Sequence, residues 1–411
     1  VSVKRKAVVL IADGLGDRLA PALGNRTPLE AAATPALDRL AAEGVVGLMD
    51  PIKPGVVAGS DTAHLSILGM DPYAVYTGRG PFEAAGIGME VRGGDVAFRV
   101  NFSTVDDDLV VTDRRAGRIS SGTDQLARAL NGMDLGDGVT AFFKESVAHR
   151  GALVLRGQGL GAAVTDVDPH ATGEKVWTAV GSDPASEKTA RAVNTFVRRS
   201  FEVLSAHPIN QERIRQGLNP ANIALPRGIG VAPDVAPFDE AWHVKSACLV
   251  ETGLIRGIGI YLAMDIIDVP GANGGLDSDV MATAQAIVDA LADHDFVLCN
   301  IKGPDVAGHD GQAEAKAKMI ERIDSAVAHI YAHIEPDVSL LFTGDHATPC
   351  EVGDHTGDPV PVVIWGPSLV PDAVTTFSER AATAGGLGRI RGVDVMPIMT
   401  NLMGVQHKFG A

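Results

Sequence analysis

Apolar residues in this chain come in short unbroken runs, each closed by glycine, proline or an acid. Lys6–Ala12 (KAVVLIA) is rich in β-branched residues and predicts a strand buried on both faces, since a half-buried strand would alternate polar and apolar. Phe296–Ile301 (FVLCNI), Ser339–Thr343 (SLLFT) and Val360–Trp365 (VPVVIW) have the same character. Between them the spacing changes to three and four residues. A helix is predicted over Ala36–Glu43, opened by Thr34-Pro35 and stopped at Gly44. Two more are predicted over Val280–Asp293 and Ala313–Ile334, the latter with Met319, Ile320, Ile323, Ala326 and Ile330 on one stripe. Strands alternating with helices predict an α/β fold built on a doubly wound sheet.

The middle of the chain reads differently. Gly94–Val111 and Gly151–Arg156 predict strands of a more antiparallel module, and Ser186–His207 a long helix. Asn219–Phe238 carries four prolines and reads as a linker returning to the first module. At 411 residues the chain exceeds a single core, and two domains are expected. We place a discontinuous domain at 1–75 and 239–411 and a smaller inserted α+β domain at 76–238.

Composition narrows the function. There are 35 Lys+Arg against 51 Asp+Glu, a net charge of −16, and only 5% of residues are aromatic. This excludes a non-specific nucleic-acid binder, which needs basic patches and stacking platforms. No apolar run reaches the roughly 18–20 residues of a membrane span. The start, VSVKRKAVVLIADG, has the outline of a signal peptide, but its apolar stretch is short and runs into Asp13-Gly14, so it is read as a strand. Cys248, Cys299 and Cys350 are odd in number and far apart, which fits a reducing cytoplasm. The oligomeric state is not legible.

The candidate chemistry lies just after the strands. Asp13 follows the first; Asp305 and His309 stand in GPDVAGHDG, Asp345 and His346 in TGDHATP, His355 in GDHTGDP. Ligands of open α/β sheets bind outside the carboxyl ends of the strands, so these groups are expected to converge. Carboxylates and imidazoles gathered there need compensation, and divalent cations supply it. Taken singly, Asp13 is better explained by an Asp-Gly turn. Ser60, in AGSDTAH, opens a predicted helix Asp61–Leu68. Two readings of it stay open: an N-cap serine, or a metal-activated nucleophile toward phosphorus at a helix N-terminus. There is no Gly-x-Ser-x-Gly elbow, no Walker-type loop and no Gly-x-Gly-x-x-Gly after the first strand, which disfavours acyl transfer, kinases and dehydrogenases.

IADGLGDR, GSDTAHLSILGMDP, YTGRGPFEA, DRRAGRI, NIKGPDVAGHDG, TGDHATPCEVGDHTGDPVP and RGVDVMPIMTNLMG resemble the archaeal-type cofactor-independent phosphoglycerate mutases of the alkaline phosphatase superfamily. The resemblance runs from the first strand to the last block. It implies an alkaline-phosphatase-like sheet core with an inserted substrate-binding cap. It implies interconversion of 3- and 2-phosphoglycerate in glycolysis and gluconeogenesis, without 2,3-bisphosphoglycerate, on two divalent ions: manganese first, with magnesium, cobalt or zinc as alternatives. One ion falls to Asp13, Ser60, Asp345 and His346, the other to Asp305, His309 and His355. Ser60 becomes the transient phosphoserine. Lys302 is either its neutralising partner or a structural ion-pair former, and His64 is read as packing. Arg114, Arg115, Asp168, His170 and Arg227 are candidates for binding the small phosphorylated acid, since arginine forks suit carboxylates. The alternatives are a superfamily relative with a changed substrate (a phosphatase, or a phosphonate or phosphate-ester hydrolase or transferase) and a metal-dependent binding protein without turnover.

Overall fold

The computed structural model describes residues 5–410 apart from 368, 407 and 409. Contacts divide the chain into two units, one made by the chain up to Tyr76 and from Val235 onward, the other by Thr77–Asp234.

The first unit begins with β1 (Lys6–Ala12) and β2 (Val45–Asp50). The second contributes β3 (Val96–Val105), β4 (Val111–Asp113), β5 (Met133–Asp134), β6 (Thr140–Glu145), β7 (Arg150–Arg156) and β8 (Ile223–Val231). The chain then returns for β9 (Ser246–Val250), β10 (Asp265–Asp268), β11 (Phe296–Ile301), β12 (Val338–Thr343), β13 (Val360–Trp365) and β14 (Gly388–Arg391).

The sheet of the first unit has eight strands in the order β10-β9-β11-β1-β12-β13-β2-β14. Successive residues of β1, Ala7 to Ala12, are all fully buried, as a central strand with both faces covered requires. One face packs on the helices Val280–Ala290 and Ala313–His333, where Ile287, Ile320, Ile323 and Val327 meet Val8, Leu10 and Phe342. The predicted helix before β2 is Pro35–Glu43, ending at Gly44 as its sequence requires. β13 departs from a simple parallel reading: it runs antiparallel to both β12 and β2. A doubly buried apolar run looks the same in either direction, so its sequence carried no sign of this.

The second unit holds a wholly antiparallel six-stranded sheet, β4-β3-β7-β6-β5 with β8 on the other side of β3. The helix Pro184–Ser205 lays Val193 and Phe196 on a core that includes Phe102, Phe143 and Leu153. Here one expectation is corrected. Asn219–Phe238 is not only a linker, because Ile223–Val231 inside it forms β8. Pro226, which argued for a linker, is tolerated because β8 is an edge strand, with no ladder on its other side among the described residues. No helix among the described residues is long and apolar enough to cross a membrane.

Candidate active site

β11, β1 and β12 are adjacent and parallel, so their carboxyl ends share one edge of the sheet. Asp13 follows β1. Asp305 and His309 lie on the short helix Gly303–His309 after β11, and Asp345 and His346 follow β12. His355 comes from the loop between β12 and β13. Sequence-distant acids and imidazoles therefore meet because three strands stop together.

Asp13, Asp345 and His346 are buried with hardly any exposure. Asp345 Oδ1 accepts from the backbone N–H groups of Gly14 (2.9 Å) and His346 (3.0 Å), while its buried Oδ2 accepts no hydrogen bond among the described residues. The Nε2 atom of His346 lies 3.1 Å from Ser60 Oγ, 3.3 Å from Asp345 Oδ2 and 3.5 Å from Asp13 Oδ1. Its Nδ1 is 3.1 Å from Thr348 Oγ1, and that hydroxyl is 2.7 Å from Asp305 Oδ1. Carboxylates only accept, so the Thr348 proton goes to Asp305, and His346 must carry its own proton on Nδ1. Burial pushes the His346 imidazole down to about 3, so the ring is neutral and its Nε2 is a bare lone pair facing two carboxylates.

A second knot forms around Asp305. The Nε2 atoms of His309 and His355 each lie 3.5 Å from Asp305 Oδ1 and 3.2 Å from one another. Both rings turn Nδ1 to a backbone carbonyl, His309 to Gly353 and His355 to Ala58. Two facing lone pairs need a positive centre. Without a metal that role falls to a proton on His355: burial opposes it, Asp305 favours it, and the imidazole is raised on balance. Among the described residues, three donor sets are compact enough to hold an ion: Asp13–Asp345–His346, Asp305–His346–His355, and His309–Asp354–His355. The orphaned Asp345 oxygen and the bare imidazole nitrogens fit divalent cations bound by nitrogen and oxygen.

Lys302 Nζ pairs with Asp13 Oδ1 at 2.8 Å and Asp305 Oδ2 at 2.7 Å. Burial and the neighbouring Asp345 raise the Asp13 carboxyl, while the charge of Lys302 works against them. Burial also works on Asp305, but hydrogen bonding from His355 and the charge of Lys302 hold it well below the carboxylate range.

Ser60 is the first residue of the helix Ser60–Ile67 and Gly59 is its N-cap, so the capping reading of Ser60 is corrected. Its hydroxyl is turned to His346 instead of closing the helix. His64 is fully buried one turn later, with Nδ1 2.7 Å from the Ser60 carbonyl. Asn300 joins it from β11, giving one amide proton to His64 Nε2 (3.2 Å) and the other to Asp13 Oδ2 (3.0 Å). His64 thus packs and also steadies the floor beneath Ser60. Asn300, Thr348 and Asp354 went unnoticed in the sequence. Asp354 had a signal, because Asp354-His355 repeats the pattern Asp345-His346.

In the second unit, four of the five proposed substrate residues meet. Arg114 Nη2 lies 3.2 Å and Arg227 Nη1 3.6 Å from Asp168 Oδ2, and both guanidinium groups are 3.4 Å from His170 Nδ1. Burial pushes Arg227 down to about 10, with neighbouring arginines acting the same way. Arg115 does not join the cluster through a hydrogen bond of its side chain; its amide bonds Asp113, and its charge acts on His149. Arg227 also lines a cavity of about 110 Å³ together with Arg79, Arg99 and Arg150, which sequence reading left out.

Comparison with known proteins gives the family. Residues 41–210 match the family model described as 2,3-bisphosphoglycerate-independent phosphoglycerate mutase. The chain is 54% identical over 411 residues to the Methanothermobacter thermautotrophicus protein named 2,3-bisphosphoglycerate-independent phosphoglycerate mutase 1, covering 99% of this chain and 100% of that one. It is 53% identical to a Methanosphaera stadtmanae protein of the corresponding name, again covering 99% and 100%. Among solved structures, the PH0037 protein of Pyrococcus horikoshii superposes with a TM-score of 0.87 at 40% identity, covering 100% of both chains. The cofactor-independent phosphoglycerate mutase of Thermoplasma acidophilum superposes at 0.72 with 38% identity, covering 97% of this chain and 100% of that one. Full-length identity at this level leaves one conclusion: this chain belongs to the 2,3-bisphosphoglycerate-independent phosphoglycerate mutase family.

Proposed function

We propose that this protein interconverts 3-phosphoglycerate and 2-phosphoglycerate, with Ser60 carrying the phosphoryl group between the two hydroxyls. The observation that carries this reading is Ser60 Oγ at 3.1 Å from a bare imidazole nitrogen, beside Asp13 and Asp345. A binding protein would have no use for a hydroxyl aimed into such a cluster.

Asp13, Ser60, Asp345 and His346 would hold one divalent ion, and Asp305, His309 and His355 a second, with Asp354 at its margin. Manganese is the first candidate, ahead of magnesium, cobalt and zinc. Bound there, such ions act as Lewis acids that lower the pKa of a hydroxyl and offset charge on a transferring phosphoryl group. Ser60 Oγ gives up its proton and attacks the phosphorus of 3-phosphoglycerate; the bond from phosphorus to the 3-oxygen breaks, and that oxygen takes up a proton. The 2-hydroxyl of the retained glycerate then loses its proton and attacks the phosphoserine; the bond from phosphorus to Ser60 Oγ breaks, and that oxygen takes up a proton. The Lys302 ammonium, already poised between Asp13 and Asp305, neutralises phosphoryl oxygens.

Arg114 and Arg227, oriented by Asp168 and His170, provide guanidinium forks for the glycerate carboxylate, and Arg115 adds positive charge near them. Local cations have to do this, since the net charge of −16 repels an anionic substrate at long range. Glycerate must be kept and water kept away between transfers, or the enzyme becomes a phosphatase. The reading places the protein in the cytoplasm, consistent with three buried, unpaired cysteines.

The test is isomerisation of 3-phosphoglycerate by the manganese-loaded protein, followed through enolase. Formation of 2-phosphoglycerate, abolished by Ser60→Ala, is expected. Free phosphate without isomer would refute it.

A further inference from the structure

Thr348 sits where both halves of the cluster meet. Its hydroxyl donates to Asp305 Oδ1 (2.7 Å) and receives the Nδ1 proton of His346 (3.1 Å), so one oxygen bonds a residue from each proposed ion site. It is fully buried, and the chain clears room for it on two sides. Gly14 (φ +64°) could not carry a Cβ, which would fall 2.7 Å from Thr348 Oγ1 and 2.8 Å from Asp305 Cα. A Cβ on Gly308 would fall 2.4 Å from the Thr348 carbonyl oxygen.

Its backbone is pinned from below. Lys316, on the helix Ala313–His333, is fully buried and gives its three ammonium protons to the Thr348 carbonyl (2.9 Å), the Gly16 carbonyl (3.2 Å) and Asp17 Oδ2 (2.7 Å). Asp17 in turn accepts from the Cys350 amide at 3.2 Å. The Thr348 amide donates to the Gly16 carbonyl at 3.0 Å. A lysine this deep is costly unless every proton is satisfied, and here all of them tie the loop after β12 to the loop after β1.

We infer that Thr348 is a positioning residue that couples the two ion sites, and that the Lys316–Asp17 pair holds it in register. By taking the Nδ1 proton of His346 it fixes the tautomer that leaves Nε2 free for metal. By bonding Asp305 Oδ1 it orients that carboxylate in the same stroke. Residues that bond metal ligands in this way commonly change metal affinity by 10- to 100-fold. The inference rests on the two-ion reading above.

The experiment is titration of the metal-free full-length protein with Co²⁺, reading stoichiometry, affinity and the visible d–d spectrum. The wild type is expected to take up two ions. Thr348→Val keeps the shape and removes the hydroxyl. It should weaken Co²⁺ binding by roughly 10- to 100-fold and alter the spectrum, with both sites affected. Thr348→Ser, which keeps the hydroxyl, should restore wild-type affinity. If Thr348→Val folds poorly, Thr348→Ser against Thr348→Ala makes the same comparison. Two Co²⁺ ions bound by a hydroxyl-free variant with affinity within twofold of wild type and an unchanged spectrum would overturn the inference alone. Failure of the wild type to bind Co²⁺ would instead overturn the two-ion reading.

Discussion

Lys302 and Asp13 are joined by an ion pair of 2.8 Å, and the same ammonium reaches Asp305 at 2.7 Å. One cation is therefore shared by carboxylates proposed to serve different metal ions. In metal-free protein Lys302 is the principal compensation for acids that are otherwise out of water. Lys302→Met should destabilise the metal-free protein by about 3 kcal/mol, the scale of breaking a buried pair from one side. Saturation with Mn²⁺ should recover most of that loss, while turnover stays low. Denaturant unfolding with chelator and with Mn²⁺ measures both; equal destabilisation in the two conditions would speak against a shared charge role.

The arginine cluster makes a separate prediction. Asp168, nearly fully buried, is 3.2 Å from Arg114 and 3.6 Å from Arg227. Arg227→Ala should lower kcat/KM for 3-phosphoglycerate by about 10- to 100-fold, the loss of one charged hydrogen bond worth on the order of 1.5–3 kcal/mol. Asp168→Asn should raise KM by releasing both guanidinium groups. Mn²⁺ affinity should not change in either variant. A fall in metal affinity with KM unchanged would place these residues elsewhere in the reaction.

His149 gives a pH test. Burial, then the charges of Arg150, Arg115 and Arg227, push its imidazole down to about 4 from an ordinary 6.5. The unfolded chain therefore takes up a proton that the folded one refuses. Stability from this group is complete above pH 6.5 and is lost as pH falls toward 4. Unfolding measured from pH 7.5 to 4 should show His149→Gln losing less stability than wild type over that window. Parallel curves would show that His149 titrates normally.

Much of this was readable along the chain, for physical reasons. β1, β11 and the helix Ala313–His333 are specified by burial pattern, and burial pattern is written in residue type. The acids and histidines stood out because charge at a strand end is costly without a purpose. Thr348 and Asn300 did not, since a neutral side chain has no local signature and acts only through what the fold sets beside it. β8 was hidden because Pro226 signals a break unless one knows that the strand lies at an edge. Ser60 looked like a cap because a serine at a helix start usually is one; only Gly59 taking that position frees its hydroxyl.

The whole account turns on Ser60 as the phosphoryl carrier. The direct measurement is peptide mass analysis of manganese-loaded protein, acid-quenched during turnover of 3-phosphoglycerate. The account predicts one phosphoryl group on the peptide containing Ser60, absent without metal and absent in Ser60→Ala. Steady formation of 2-phosphoglycerate by Ser60→Ala, or a phosphoryl group trapped on another residue, would contradict it.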